Sequence, residues 1–190
     1  RILDSLKKNK MCKYLYAPKE DIYHRRKWRQ PYDPKWKKKF NLFCKNARSK
    51  KIDILFGVSP GLDFNFNNLD EIEKNYDFKI LLKKCLTSLK LGVKSVVLQF
   101  DDIPDNFSNI NLTISEGEAH AKVTNKLSDN LKCDIYVVPR IYSDELIKPT
   151  KNYLRDFGLH IKNSIKVFYC GKNVVEKKIN QNSLKKVSGF

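Results

Sequence analysis

Five short runs rich in β-branched and aromatic residues recur along the chain, at residues 13–17, 53–58, 95–100, 134–138 and 165–169. Their last residues lie 41, 42, 38 and 31 positions apart. Each run is apolar at nearly every position, the pattern of a strand covered on both faces. Helical patterns fill the gaps. Residues 34–49 place Trp36, Phe40, Phe43, Cys44 and Ala47 at helical spacing, with Asp33 as N-cap and Pro34 at the first helical position. Residues 69–91 repeat Ile72, Tyr76, Ile80, Leu82, Cys85, Leu86 and Leu89, and Gly92 is a C-terminal stop. Residues 116–131 and a short stretch at 150–159 follow. Strand alternating with helix at this period predicts βαβ units and a parallel sheet. Right-handed crossovers put every loop that follows a strand on one edge. In both a β/α barrel and an open doubly wound sheet, that edge is where chemistry gathers.

Composition limits the function classes. No apolar run approaches the ~20 residues of a membrane helix. The formal net charge is +17, which raises nucleic acid as a partner because clustered cations release counterions from phosphate. However, Lys (31) far exceeds Arg (7), and Asn and Ile are abundant while Ala is scarce, a skew that matches A/T-rich codon usage. The charge is therefore read as solvated surface, and nucleic acid is not the expected partner. Arg25, Arg26, Lys27 and Arg29 with Trp28, then Lys35 to Lys39 around Trp36, form the densest basic stretch. Cys12, Cys44, Cys85, Cys133 and Cys170 have no short spacing of a zinc or redox motif. They are expected as small buried hydrophobes in a reducing cytoplasm or nucleus. Neither a metal nor a cofactor is expected. The chain has no GxGxxG, GxxxxGK[ST] or GxSxG.

The loops after the runs are 18–21, 59–63, 101–105, 139–142 and 170–173. The sharpest word there is Gln99-Phe100-Asp101-Asp102-Ile103-Pro104. Adjacent carboxylates titrate as a coupled pair, so one holds its proton longer than the other. Glycoside hydrolysis needs that division between a proton donor and an anion. A loop turn or a divalent-cation site is the competing reading of two adjacent acids alone.

The surrounding words decide between them. Tyr14-Leu15-Tyr16-Ala17-Pro18-Lys19-Glu20-Asp21, with Tyr23-His24-Arg25 and Trp28-Arg29, resembles the YxYAPKDDxYHRxxWR segment of glycoside hydrolase family 84, the β-N-acetylglucosaminidases. Ser59-Pro60-Gly61-Leu62-Asp63 is similar to its ISPGLD, and Leu98 to Ile103 to its LLFDDI. His120-Ala121-Lys122-Val123 with Asn125, Tyr153-Leu154-Arg155, and Gly171 with Val174-Val175 and Lys178-Ile179 resemble further words in the same order. The resemblance implies a (β/α)8 TIM barrel and a substrate-assisted retaining mechanism, in which the sugar's own N-acetyl oxygen attacks the anomeric carbon. It implies that Asp101 orients the acetamido group and that Asp102 is the general acid and base. It further implies that Lys19 hydrogen-bonds the sugar, that Tyr142 supports the acetamido pocket, and that Cys170 stands where the family has a threonine. Expected substrates are proteins carrying O-GlcNAc or GlcNAc-containing glycans. His24, Trp28, Asp63 and His120 are assigned to packing and loop structure, and Gly61 to a tight bend.

Five strands are present where the family has eight. Its first strand, with a GxxEGFYG motif, has no counterpart before Arg1, and its WDN segment has none before Phe190. Residues 1–190 are thus expected to be a single partial barrel cut from a longer chain, since an isolated piece would leave unpaired edges. The competing function is a catalytically degenerate domain that binds glycans or polyanions.

Overall fold

The computed structural model describes residues 1–104, 113–146, 152–175 and 177–178. In chain order the elements are α1 (Ile2–Lys8), β1 (Lys13–Tyr16), α2 (Pro34–Ser49), β2 (Asp53–Val58), α3 (Tyr76–Lys90), β3 (Ser95–Gln99), α4 (Glu116–Asn130), β4 (Asp134–Val138), α5 (Tyr153–His160) and β5 (Lys166–Val167). The strands pair in the order β1-β2-β3-β4-β5, and every pairing is parallel. This sequential order never reverses, which distinguishes a stretch of barrel wall from a doubly wound sheet.

The two faces of the sheet carry different cores. Ile54, Phe56 and Val58 of β2, Val96 and Leu98 of β3, and Ile135 and Val137 of β4 belong to the large cluster that the helices cover. The alternate residues Leu55, Val97 and Tyr136 form a separate small cluster with Leu15 and Val138. Period-two alternation thus assigns one set outward to the helix layer and the other to the barrel interior.

Local chemistry sets the helix starts. Asp33 accepts from the Trp36 amide at 2.8 Å ahead of Pro34, and Ser115 accepts from the Glu118 amide at 3.2 Å at the head of α4. Gly92 ends α3 at φ +104°, a conformation that favours glycine.

Five expectations need correction. Of the five cysteines expected to be buried, only Cys44 and Cys85 are; Cys133 and Cys170 are half-buried and Cys12 is exposed. The pattern at 69–91 is two elements, a 3-10 turn Leu69–Lys74 and then α3, because Asn75 turns to ψ 126° and caps α3 by accepting from the Phe78 amide at 3.0 Å. The last strand is only Lys166–Val167, and both residues are exposed. β1 is likewise exposed to half-buried, so the two outer strands lack the double cover that their composition predicts. Gly61 has no positive φ; its constraint is close approach, since a Cβ there would stand 2.8 Å from Ile103 Cδ1 and 3.2 Å from Phe100 Cδ1. Helix α1 was not anticipated. Asp105, Thr150, Lys151 and Ile179 lie outside the described residues.

Candidate active site

The strand-end loops bring Lys19, Asp101, Asp102, Tyr142 and Cys170 to one place, from four different β/α units. Lys19, three residues past β1, forms an ion pair with Asp102 and lies 3.7 Å from Asp101 Oδ2. The Tyr142 hydroxyl, from the loop after β4, donates to Asp102 Oδ1 at 3.0 Å. Cys170, beyond β5, donates its amide to the Tyr142 carbonyl at 2.7 Å.

The two acids occupy unequal positions. The Asp101 side chain is 14% exposed and that of Asp102 is 42%. Asp102 has φ +55°, a left-handed conformation that a short polar residue tolerates better than most. Its carbonyl accepts from the Arg25 guanidinium. Asp101 Oδ1 is buried and accepts no hydrogen bond among the described residues.

Lys19 holds the Asp102 carboxyl below the usual carboxylate range, and the Tyr142 hydroxyl adds to the effect against the opposing pull of burial. The resemblance implied that Asp102 is the general acid and base; with Lys19 on it and no sugar bound, the ionised form of its carboxyl is favoured. Burial pushes Tyr142 up to about 12, with Asp102 contributing, so its phenol remains a donor. Burial, then Asp101, raises the Cys170 thiol.

Behind these groups stands a supporting layer. Phe100, next to Asp101, is fully buried and stacks on His120 with centroids 3.9 Å apart. Tyr153 of α5 links the loop after β4 to α4: its hydroxyl accepts from the Arg140 amide at 2.9 Å and lies 2.9 Å from His120 Nδ1. Arg140 also grips Glu116 of α4 through two hydrogen bonds. On the β1 side, His24 Nδ1 meets the Gly57 carbonyl at 2.8 Å, and Ser59 donates to Nε2 at 3.3 Å, which fixes the tautomer. Burial lowers the His24 pKa, and that of His120 falls well below the usual range for the same reason, so both rings are neutral. Trp28 Nε1 donates to Asp63 at 2.7 Å, and Arg29 joins Asp63 to Asp77 with a bidentate contact to the latter. Sequence reasoning gave no role to Arg25, Arg29, Arg140 or Gln99. Arg25 and Arg29 stood in the family-like words and in a basic run, and Gln99 opened the word around the acid pair, but no residue type there showed what each would touch; the Gln99 Oε1 is buried and without a partner among the described residues.

Comparison with known proteins agrees with this fold. The family model for beta-N-acetylglucosaminidase matches residues 1–189. The protein O-GlcNAcases of Rattus norvegicus and Mus musculus are 31% identical over 191 residues, covering 96% of this chain but only 20% of those proteins. Among solved structures, CpGH84B superposes with a TM-score of 0.83 at 31% identity, covering 98% of this chain and 33% of that one. A mutant of the Thermobaculum terrenum O-GlcNAc hydrolase has a TM-score of 0.83 at 26% identity, covering 98% and 40%.

Proposed function

The chain belongs to the β-N-acetylglucosaminidase family, and on that premise we propose that it supplies the acid pair of an enzyme that removes β-linked N-acetylglucosamine from proteins or glycans. The observation that carries the reading is the pairing of a buried, unpartnered carboxylate oxygen on Asp101 with a more exposed Asp102 one residue on. The amide N–H of a 2-acetamido group is the donor that Asp101 Oδ1 lacks. Accepting it would aim the acetyl oxygen at the anomeric carbon and stabilise positive charge as the oxazolinium forms.

In this mechanism the acetamido oxygen bonds to C1 while the C1–O bond to the leaving group breaks. Asp102 delivers its proton to the departing oxygen, then as carboxylate takes a proton from the water that opens the ring, so the sugar leaves with its original configuration. Lys19 has two tasks. With no sugar bound it keeps Asp102 ionised. When it turns to a sugar hydroxyl, it leaves Asp102 with only the Tyr142 hydroxyl and the Arg25 contact to its carbonyl, and the carboxyl gains proton affinity where a proton is needed.

The test is release of an aryl alcohol from aryl β-N-acetylglucosaminides by the full-length protein. Asp102→Asn, which also tolerates the left-handed backbone, should lose turnover of poor leaving groups most. Asp101→Asn should lose turnover of good and poor leaving groups alike. Unchanged rates in both variants would refute the roles. A wild-type protein that binds the sugar without turnover would establish the binding domain instead.

A further inference from the structure

A second concave site lies in the helix layer and shares no lining residue with the strand-end acids. A cavity of about 200 Å³ opens between α2 and α3, against Phe56 on the outward face of β2. Tyr32, Trp36, Phe56, Ile80 and Leu91 give it an apolar wall, while Lys37, Lys83 and Lys84 give it cationic groups. No Asp or Glu lines it.

Lys84 is the informative residue. It is only 8% exposed, yet its ammonium has no carboxylate within ion-pair distance among the described residues. Nζ donates to the Gln30 carbonyl at 2.7 Å and sits 4.5 Å from the centroid of the Tyr32 ring. An ammonium has three N–H donors, and one carbonyl uses one of them. Burying an unpaired cation is costly unless a counter-charge joins it. Burial pushes its pKa down to about 8, and Lys37 lowers it further while Asp21 acts the other way through space. Arg29, also on the lining, is already matched by Asp63 and Asp77. The local field therefore selects a negative ligand, and the wall selects a flat apolar one. A dry cavity of roughly 150 Å³ holds a benzene ring, so this one has room for a ring and a carboxylate.

We propose that this cavity binds a small planar aromatic carboxylate, its ring against the wall of Tyr32, Trp36 and Phe56 and its carboxylate on Lys84, with Lys37 at the lip. The charge completes the coordination of the buried ammonium, and the ring fills the space between the two helices.

Calorimetric titration of the full-length protein with benzoate, benzamide and acetate tests it. Benzoate should bind saturably at one site with a Kd on the order of 1 mM or tighter, a modest demand on nine heavy atoms. Benzamide, with the same ring and no charge, should bind at least about tenfold more weakly, and acetate should not saturate. Lys84→Met keeps the apolar stem and should lose benzoate by about tenfold or more. Lys37→Met, at the half-exposed lip, should weaken it several-fold and keeps the test open if the Lys84 variant fails to fold. Lys19→Met, at the separate strand-end site, should leave benzoate affinity unchanged. Equal affinity for benzoate and benzamide, undiminished binding in both lip and core variants, no saturable binding by the wild type, or loss of binding in Lys19→Met would each overturn the assignment.

Discussion

Gly117 is the position where a single methyl group has the most legible consequence. It is the second residue of α4, and a Cβ there would stand 2.3 Å from the Tyr153 carbonyl oxygen and 2.7 Å from the Phe157 nitrogen, both backbone atoms of α5. On an exposed helix, Gly→Ala gains roughly 1 kcal/mol from propensity. Here ordinary contact requires α4 and α5 to part by about 1 Å, because backbone cannot swing away as a side chain does. Overpacking of this kind costs roughly 1–3 kcal/mol, and backbone against backbone belongs at the upper end. The net for Gly117→Ala is a loss of about 2 kcal/mol, or about 4–8 °C in Tm for a chain of this size. Thermal unfolding followed by circular dichroism measures it. Hydrolysis should fall as well, because α5 carries Tyr153, whose hydroxyl joins the Arg140 amide to His120 behind the acid pair. A variant that melts at or above the wild-type temperature would refute the close-packing argument.

The buried neutral histidines predict acid sensitivity. Both His24 and His120 have folded pKa values below 6.5, so the unfolded chain takes up protons that the folded one refuses, and stability falls as pH drops below 6.5. The slope for His120 approaches about 1.4 kcal/mol per pH unit, with His24 adding in the same direction, and urea denaturation of wild type and His120→Gln at pH 7 and 5 reads it. Lys84 predicts a dependence of the same sign at higher pH. Its folded pKa of about 8 lies below the unfolded 10.5, so stability rises as pH climbs between the two, by up to about 3 kcal/mol, and Lys84→Met should flatten that rise. Lys19→Met should raise the Asp102 pKa and so move the basic limb of kcat/KM to higher pH, while KM should increase if the proposed sugar contact is lost. An unmoved limb would show that Lys19 does not set the proton affinity of the acid.

The elements that were legible in the sequence are those whose chemistry is local. Asp33 before Pro34 marks the start of α2, and Gly92 marks the end of α3, because capping and left-handed backbone leave their trace in residue type. The alternation of strand and helix followed from spacing, whereas the unreversed strand order of a barrel wall was implied only by the family resemblance. The break at Asn75 was hidden, because apolar residues continue at helical intervals across it and only a side-chain cap to Phe78 reveals the new start. The burial of β1 and β5 was misjudged for a related reason: apolar content reports what a strand is suited to, while cover depends on what packs against it. At the candidate site, the five singled-out residues converge because parallel strands deliver their following loops to one edge. The ion pair of Lys19 with Asp102 was not legible, since the two lie 83 positions apart and the sequence carries no trace of their contact. The tie of Arg140 to Glu116 and of Arg29 to Asp77 is long-range in the same way.

The central claim is that the sugar's own amide is the nucleophile, held by Asp101 and served by Asp102. It is tested most directly by comparing an aryl β-N-acetylglucosaminide with the aryl β-glucoside of the same leaving group, which has a 2-hydroxyl in place of the acetamido group. A well-oriented internal nucleophile is worth several orders of magnitude, so the glucoside should react at least roughly a thousandfold more slowly. Glucoside turnover within about tenfold of the acetamido substrate would contradict the account, because a nucleophile supplied by the protein or by water would then suffice.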